Sequence, residues 1–253
     1  MKKISILLMA FMAVLNSYAQ LQQVPNGLYI RTQVIAENGT VVPVKDQQFR
    51  FFNDDSMISL ELSWWGKNEK SANYYISNEE KPPHSSTLTG SDVMNEQVFD
   101  ITNNSYRLKY FLTSNYEQFP KYSWATEVWE RTKLSTKAKQ LLKRLSTIDS
   151  KGKYRLNGVW KNDKTYWTYK VYTKDAVYRF SYEDGKKLSG DVKPAAYPND
   201  NAVQEGDGLC KIEWLTHDSY KLTWTGQSGE TYDEIWTRSE LPSSLSAFVM
   251  SIR

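Results

Sequence analysis

Ser219-Tyr220-Lys221-Leu222-Thr223-Trp224-Thr225 sets Tyr220, Leu222 and Trp224 on alternate positions with Lys221 and Thr223 between them. A period of two is that of a strand with one buried and one wet face. The same alternation recurs in Tyr106 to Leu112, in Leu209 to Thr216 and in Val177 to Tyr182, where it assigns Arg179 to the outward face. Glu37-Asn38-Gly39, Asn53-Asp54-Asp55, Glu183-Asp184-Gly185 and Gln227-Ser228-Gly229 separate such runs as hairpin turns do. Nine Trp and seventeen Tyr suit strands better than helices. Short strands joined by hairpins predict an antiparallel sandwich or barrel.

The chain repeats its markers in order. Asn26-Gly27-Leu28-Tyr29 returns as Asn157-Gly158-Val159-Trp160, and Phe49-Arg50-Phe51 returns as Tyr178-Arg179-Phe180. Tyr106-Arg107-Leu108-Lys109-Tyr110 returns as Tyr220-Lys221-Leu222-Thr223-Trp224, and Glu127-Val128-Trp129-Glu130-Arg131 as Glu234-Ile235-Trp236-Thr237-Arg238. The offset falls from 131 to 107 across these pairs, so the first copy is longer. Most of the excess lies between Phe49 and Tyr106, a stretch that holds Trp64-Trp65-Gly66 and Glu79-Glu80-Lys81-Pro82-Pro83. Loops that differ between copies of one scaffold are where function concentrates.

One segment breaks the strand pattern. Ala138, Leu141, Leu142 and Leu145 fall at helical spacing behind a capping Ser135, which predicts a helix packed on the first module. Asp149-Ser150-Lys151-Gly152-Lys153 then reads as a linker, and Pro242 to Ile252 as a weaker helical counterpart. The expected organisation is a leader over 1–19, a first module over 20–134, helix and linker over 135–151, a second module over 152–241 and a helical tail over 242–253.

Lys2 and Lys3, an apolar run from Ile4 to Leu15 and the small residues Ser17 and Ala19 form an export signal with cleavage before Gln20. The run is too short to span a bilayer. The expected mature protein is soluble and periplasmic or extracellular. The only cysteine, Cys210, is far from the cleavage point, which argues against a lipid anchor and rules out an internal disulfide. Its expected role is that of a small buried apolar residue. Without Lys2 and Lys3 the chain carries 30 basic and 29 acidic residues, a balance that implies neither nucleic acid nor membrane insertion.

A module that opens with Gly-x-Trp, runs through hairpins and closes on a strand ending in arginine resembles the calycins, the lipocalins and their barrel relatives. The likeness is nearest to short lipocalin-like modules in exported proteins of Bacteroides-type bacteria. It implies an all-β protein of two tandem small antiparallel β-barrels, each followed by a short helix. It also implies that Arg238 lies over Trp160 and Arg131 over Tyr29, each arginine bonding main-chain carbonyls at the closed end.

Catalytic chemistry has little to stand on. The acid pairs Asp54-Asp55, Glu79-Glu80, Glu183-Asp184 and Asp233-Glu234 are adjacent in sequence, and neighbours on a strand point to opposite faces. Glu127, Trp129 and Arg131 share a face, as do Glu234, Trp236 and Arg238, which suggests a Glu to Arg pairing beside a packed tryptophan. His84 and His217 have no zinc spacing, and the acidic stretch from Asn199 to Asp207 lacks the ligand order of a calcium loop. No metal, no cofactor and no enzymatic activity are expected. Trp64-Trp65 and Tyr74-Tyr75 flank a polar turn, and one member of each pair must face outward or into a cavity mouth. Trp167, Tyr169 and Trp214 are expected in the core. Two readings follow: a lipocalin-like carrier of a small apolar or amphipathic molecule, and an adhesion module that holds a glycan or protein with Trp64, Trp65, Tyr74 and Tyr75.

Overall fold

The computed structural model describes residues 23–42, 44, 47–54, 56–80, 85–86, 93–112, 119, 123–225 and 229–252. The expected leader with its expected cleavage point at Gln20, Lys81-Pro82-Pro83 and His84 lie outside the described residues. The first strands are β1 (Gly27–Ala36), β2 (Val41–Val42), β3 (Gln47–Phe52), β4 (Ser56–Trp65) and β5 (Ser71–Glu80). Then come β6 (Ser85–Ser86), β7 (Val93–Phe99), β8 (Ser105–Leu112), β9 (Trp124–Arg131) and helix α1 (Thr136–Ser146). The second half holds β10 (Gly158–Lys161), β11 (Tyr169–Tyr172), β12 (Ala176–Glu183), β13 (Lys187–Asn199) and β14 (Ala202–Glu205). It ends with β15 (Gly208–Thr216), β16 (Ser219–Thr225), β17 (Thr231–Ser239) and helix α2 (Leu245–Met250).

The chain forms two compact units that do not follow sequence order. One comprises residues 1–44, 52–54 and 81–131; the other comprises 45–51, 55–80 and 132–253. The β4–β5 hairpin and α1 therefore belong with the second half, whereas the sequence places both with the first.

In the first unit β7, β8, β9 and β1 pair antiparallel in that order, with β2 on the β1 edge. Its core is aromatic. Tyr29, Phe52 and Tyr106 meet edge to face at 5.3–5.7 Å, and Trp129 stacks on Tyr106 at 5.8 Å. Offset and T-shaped rings are the favoured geometries, so the cluster is cohesive beyond its buried area.

In the second unit β10 to β17 pair consecutively and antiparallel, and β17 returns to β10. The result is a closed eight-stranded barrel. Eight strands leave an interior that side chains can fill, and Trp160, Tyr172, Tyr220 and Trp236 fill one end together with Leu156, Val177, Val203 and Ile212. Cys210 is buried in the same cluster, and burial pushes its thiol pKa up to about 11.

One strand belongs to more than the barrel. Along one edge β13 pairs with β12; along the other, Ala195 to Asn199 pairs with β14 whereas Lys187 to Val192 pairs with β5. Pro194, which has no N–H to give to a ladder, stands where the partner changes. Gly190 lies between β12 and β5, and a Cβ there would collide with the Arg179 carbonyl, Phe180 and the Tyr74 hydroxyl.

Both helices cover the sheet built this way. Ser135 caps α1, its side chain accepting from the Ala138 N–H at 3.1 Å, and Ala138, Leu141, Leu142 and Leu145 are buried as the spacing predicts. Arg144 of α1 donates to the Tyr178 hydroxyl at 3.2 Å, and Phe248 of α2 packs on Tyr182. The helical part of the tail is shorter than expected.

Candidate functional site

The β4–β5 register decides which aromatics can work together. Leu62 faces Tyr74 and Trp64 faces Ala72 on one side of the hairpin; Glu61 faces Tyr75 and Trp65 faces Ser71 on the other. On β13, Gly190 and Val192 continue the first side, and Ser189 and Asp191 the second.

The first side is the covered one. Tyr74 is buried, and Trp64 is half-buried beneath the Lys137 ammonium of α1 at 4.5 Å. Burial and the nearby Asp191 raise the Tyr74 hydroxyl well above its ordinary pKa, so it stays neutral. The second side is open. Trp65 is 36 % exposed and donates its ring N–H to Asn73 Oδ1 at 3.1 Å; Tyr75 is half-buried. Of the four aromatics, Trp65 and Tyr75 thus share an accessible face and Trp64 and Tyr74 are structural.

Residues outside the expected set complete that face. A groove of about 340 Å³ is lined by Glu61, Ser63, Asn73, Tyr75 and Ser189, with Tyr166 and Trp167 arching from the β10–β11 loop. Tyr166 is 77 % exposed, and its carbonyl accepts a hydrogen bond from the Ser181 hydroxyl at 2.6 Å. Trp167, expected in the core, is half-buried at this groove, because it precedes β11 and never enters the alternation that buries Tyr172. Trp214 is also half-buried, packed on the core edge beneath the Arg155 guanidinium at 3.9 Å.

The inner wall of the barrel next to this sheet is charged. Lys170, 2 % exposed, contacts Glu205 at 3.3 Å and Glu234 at 3.4 Å. Tyr172 donates its hydroxyl to Glu205. Arg179 holds Asp191 with two N–H groups, and Lys193 lies 3.7 Å from the same carboxylate. Burial by itself raises the Glu205 carboxyl, but Lys170, the Tyr172 hydroxyl and Arg179 outweigh it and hold the carboxyl below the usual range. Arg179 therefore faces inward, which corrects the outward assignment. Both faces of β12 are covered, one by helices and one by the barrel, and alternation alone cannot tell the two apart. Glu205, read from sequence within an acidic loop, instead ends strand β14 and is turned onto Lys170.

Arg238 and Arg131, expected from the calycin likeness to close the two modules, make the following contacts. The Arg238 guanidinium lies 4.1 Å over Trp160 and donates to the carbonyls of Asn157 and Arg155 at 3.2 and 3.0 Å. Arg131 lies 6.0 Å from the Tyr29 ring and donates to the carbonyls of Asn26 and Asn103. The expected Glu to Arg pairing takes other partners: Glu127 binds Arg31 at 2.8 Å, and Glu234 binds Lys170. The neighbouring tryptophan donates to the carboxylate each time, Trp129 to Glu127 at 2.9 Å and Trp236 to Glu234 at 3.0 Å.

A closed eight-stranded antiparallel barrel with two short helices defines an all-β protein consistent with a lipocalin-like fold. No protein-family model, no curated protein and no solved structure matches the chain. No helix among the described residues is long and apolar enough to cross a membrane.

Proposed function

We propose that this is an exported, non-enzymatic binding protein that holds a glycan on the open face of the β4–β5–β13 sheet. The observation that carries this reading is the pairing of a filled barrel with an open aromatic face. Trp160, Tyr172, Tyr220 and Trp236 are at most 1 % exposed inside the barrel, while Tyr75 and Tyr166 line one groove outside it and Trp65 lines a second. Aromatic plates edged by hydroxyl, amide and carboxylate groups suit the apolar faces and hydroxyl rims of sugars. Carboxylates committed to Lys170 and Arg179 fit a structural rather than a catalytic part.

We also propose that the two halves are tandem copies of one module. Gly27 and Gly158 have φ of 147° and 146°, and at each a Cβ would strike the closing arginine. The aromatic two residues on donates to the carbonyl four residues before it, Tyr29 to Pro25 and Trp160 to Leu156.

Calorimetric titration of the mature protein against neutral and acidic oligosaccharides tests the surface reading. Binding is expected, and Trp65→Ala with Tyr75→Ala is expected to abolish it while the melting temperature holds. The carrier reading would gain if native mass spectrometry of protein from its host revealed a retained apolar molecule.

A further inference from the structure

We infer that the ligand of this face is an elongated, negatively charged oligosaccharide, its acid groups met by lysines stationed at the two aromatic plates. This rests on the surface reading above and adds the charge and the length of the ligand.

Each plate has its own ammonium. Lys193 Nζ lies 5.0 Å from the Trp65 ring centroid and Lys187 Nζ 5.0 Å from that of Tyr75. A hydrated ammonium gains little from a ring at an exposed site. The exposed Lys187 ammonium has three N–H donors that can turn toward a carboxylate or sulfate, whereas Lys193 already lies 3.7 Å from Asp191 and has the remainder of its donors to offer. A sugar ring laid beside the plate thus finds an apolar surface and a cation for its acid group together.

The Trp65 end is the more basic. A second groove of about 340 Å³ is lined there by Trp65, Lys67, Asn68, Lys70, Ser71 and Asp207. Glu69, next to it, is taken up by Lys137 of α1. The other carboxylates near the strip are Asp207 at this end and, at the Tyr75 end, Glu61 and Glu79; Glu183, across from Lys187, pairs with Lys186, and Asp191 is held by Arg179 and Lys193. Lys67, Lys70, Lys187 and Lys193 outnumber Asp207, Glu61 and Glu79 by one, so the strip is weakly positive and its charge complement is anionic.

Lys193 is the less exposed of the two plate lysines and shares Asp191 with Arg179. Burial, and then Arg179, lower its pKa against the opposing pull of Asp191 and Glu205. An acid group arriving at Trp65 favours the charged ammonium. The backbone at the groove is also held in an uncommon state: Asn68 and Glu69, neither of them glycine, have φ of 57° and 50°. Adjacent residues in the left-handed region persist where the surroundings fix them, and such sites cluster at ligand clamps.

Length follows from the register. Trp65 is opposite Ser71, and Tyr75 lies four residues further along β5 on the same face. At the rise of an extended strand the plates are about 13 Å apart. Ser63 and Asn73 sit between them on that face. One sugar ring cannot reach both plates; a chain can.

The test uses the mature protein in calorimetric titrations with four probes of similar length: an oligogalacturonate, a heparin fragment, a neutral cello-oligosaccharide and oligo-dT. At least one acidic glycan is expected to bind about tenfold or more tighter than the neutral chain, with affinity that falls as salt rises. Binding of the galacturonate chain shows that carboxylates suffice, and binding of heparin alone shows that sulfate is required. Lys67→Gln with Lys187→Gln, both clear of the barrel's ion pairs, is expected to remove that preference at an unchanged melting temperature. A neutral chain bound as tightly overturns the charge inference and leaves the surface reading standing. Acidic binding that survives Trp65→Ala with Tyr75→Ala overturns both. No binding of either acidic glycan, or oligo-dT bound as tightly, overturns the inference.

Discussion

Two strands of the molecule carry the same pattern, Glu127-x-Trp129-x-Arg131 and Glu234-x-Trp236-x-Arg238, and spend it differently. In both, the tryptophan donates to the glutamate and the arginine to two carbonyls. In the first, the glutamate is buried against Arg31, whose side chain is 4 % exposed, and also accepts from Tyr110. In the second, the glutamate is 23 % exposed and shares Lys170 with Glu205. The arginines reverse the order, since Arg238 stacks on its aromatic at 4.1 Å and Arg131 stands 6.0 Å from its own. The first strand concentrates its electrostatics in the middle, the second at the closed end.

The largest expected effect breaks the symmetry at the glutamates. Glu127→Gln removes the carboxylate facing a buried guanidinium and is expected to cost about 3–5 kcal/mol, as one-sided removal of a buried pair does. Glu234→Gln is expected to cost roughly 1 kcal/mol, because its partner keeps Glu205 and water reaches the site. Urea titrations of both variants check the ranking. Equal losses would mean that burial is not what separates the two strands.

At the two arginines the ranking inverts. Arg238→Ala loses charge-assisted bonds at about 1.5–3 kcal/mol and a stacked cation at about 0.5–2, for an expected total of roughly 2–5. A double-mutant cycle with Trp160→Ala is expected to show clear coupling. Arg131→Ala keeps the loss of carbonyl bonds but little of the stacking, and about 1.5–3 kcal/mol is expected. Strict additivity of Arg238 and Trp160 would reduce Arg238 to an ordinary surface residue.

The contacts of Arg131 and Arg238 with the glycine and aromatic that open each half were legible because they follow a local pattern: glycine, an aromatic two residues on, and a terminal arginine. The strands were legible for the same reason, since Tyr220, Leu222 and Trp224 alternate without interruption. Arg179 was misread because Tyr178, Phe180 and Tyr182 form the more apolar row, and a strand covered on both sides hides which row faces the barrel. The hairpin's allegiance to β13 is set by pairing across more than a hundred residues, and nothing in β5 alone specifies it. Lys187 and Lys193 were missed for that reason. They are plain surface lysines in sequence and become part of a site only through the β13–β5 register.

The smallest expected effect sharpens the likeness between the halves at one bond. Tyr29 donates its hydroxyl to the Pro25 carbonyl at 3.0 Å, as Trp160 donates its ring N–H to Leu156 at 2.8 Å. Tyr29→Phe keeps the ring and its contacts with Phe52 and Tyr106 and removes only this bond, so about 0.5–1.5 kcal/mol is expected. Burial, partly opposed by Arg131, raises the Tyr29 pKa above the ordinary 10.0. A hydroxyl whose pKa is higher folded than unfolded stabilises below the unfolded value, and that stabilisation is lost as pH rises toward the folded one. The gap between wild type and Tyr29→Phe should therefore be constant from neutral pH to about pH 9 and narrow above pH 10. Chemical denaturation along this pH series reads it directly. A gap of zero at neutral pH would leave the two closures alike in shape only, with the Tyr29 bond contributing nothing that the ring does not.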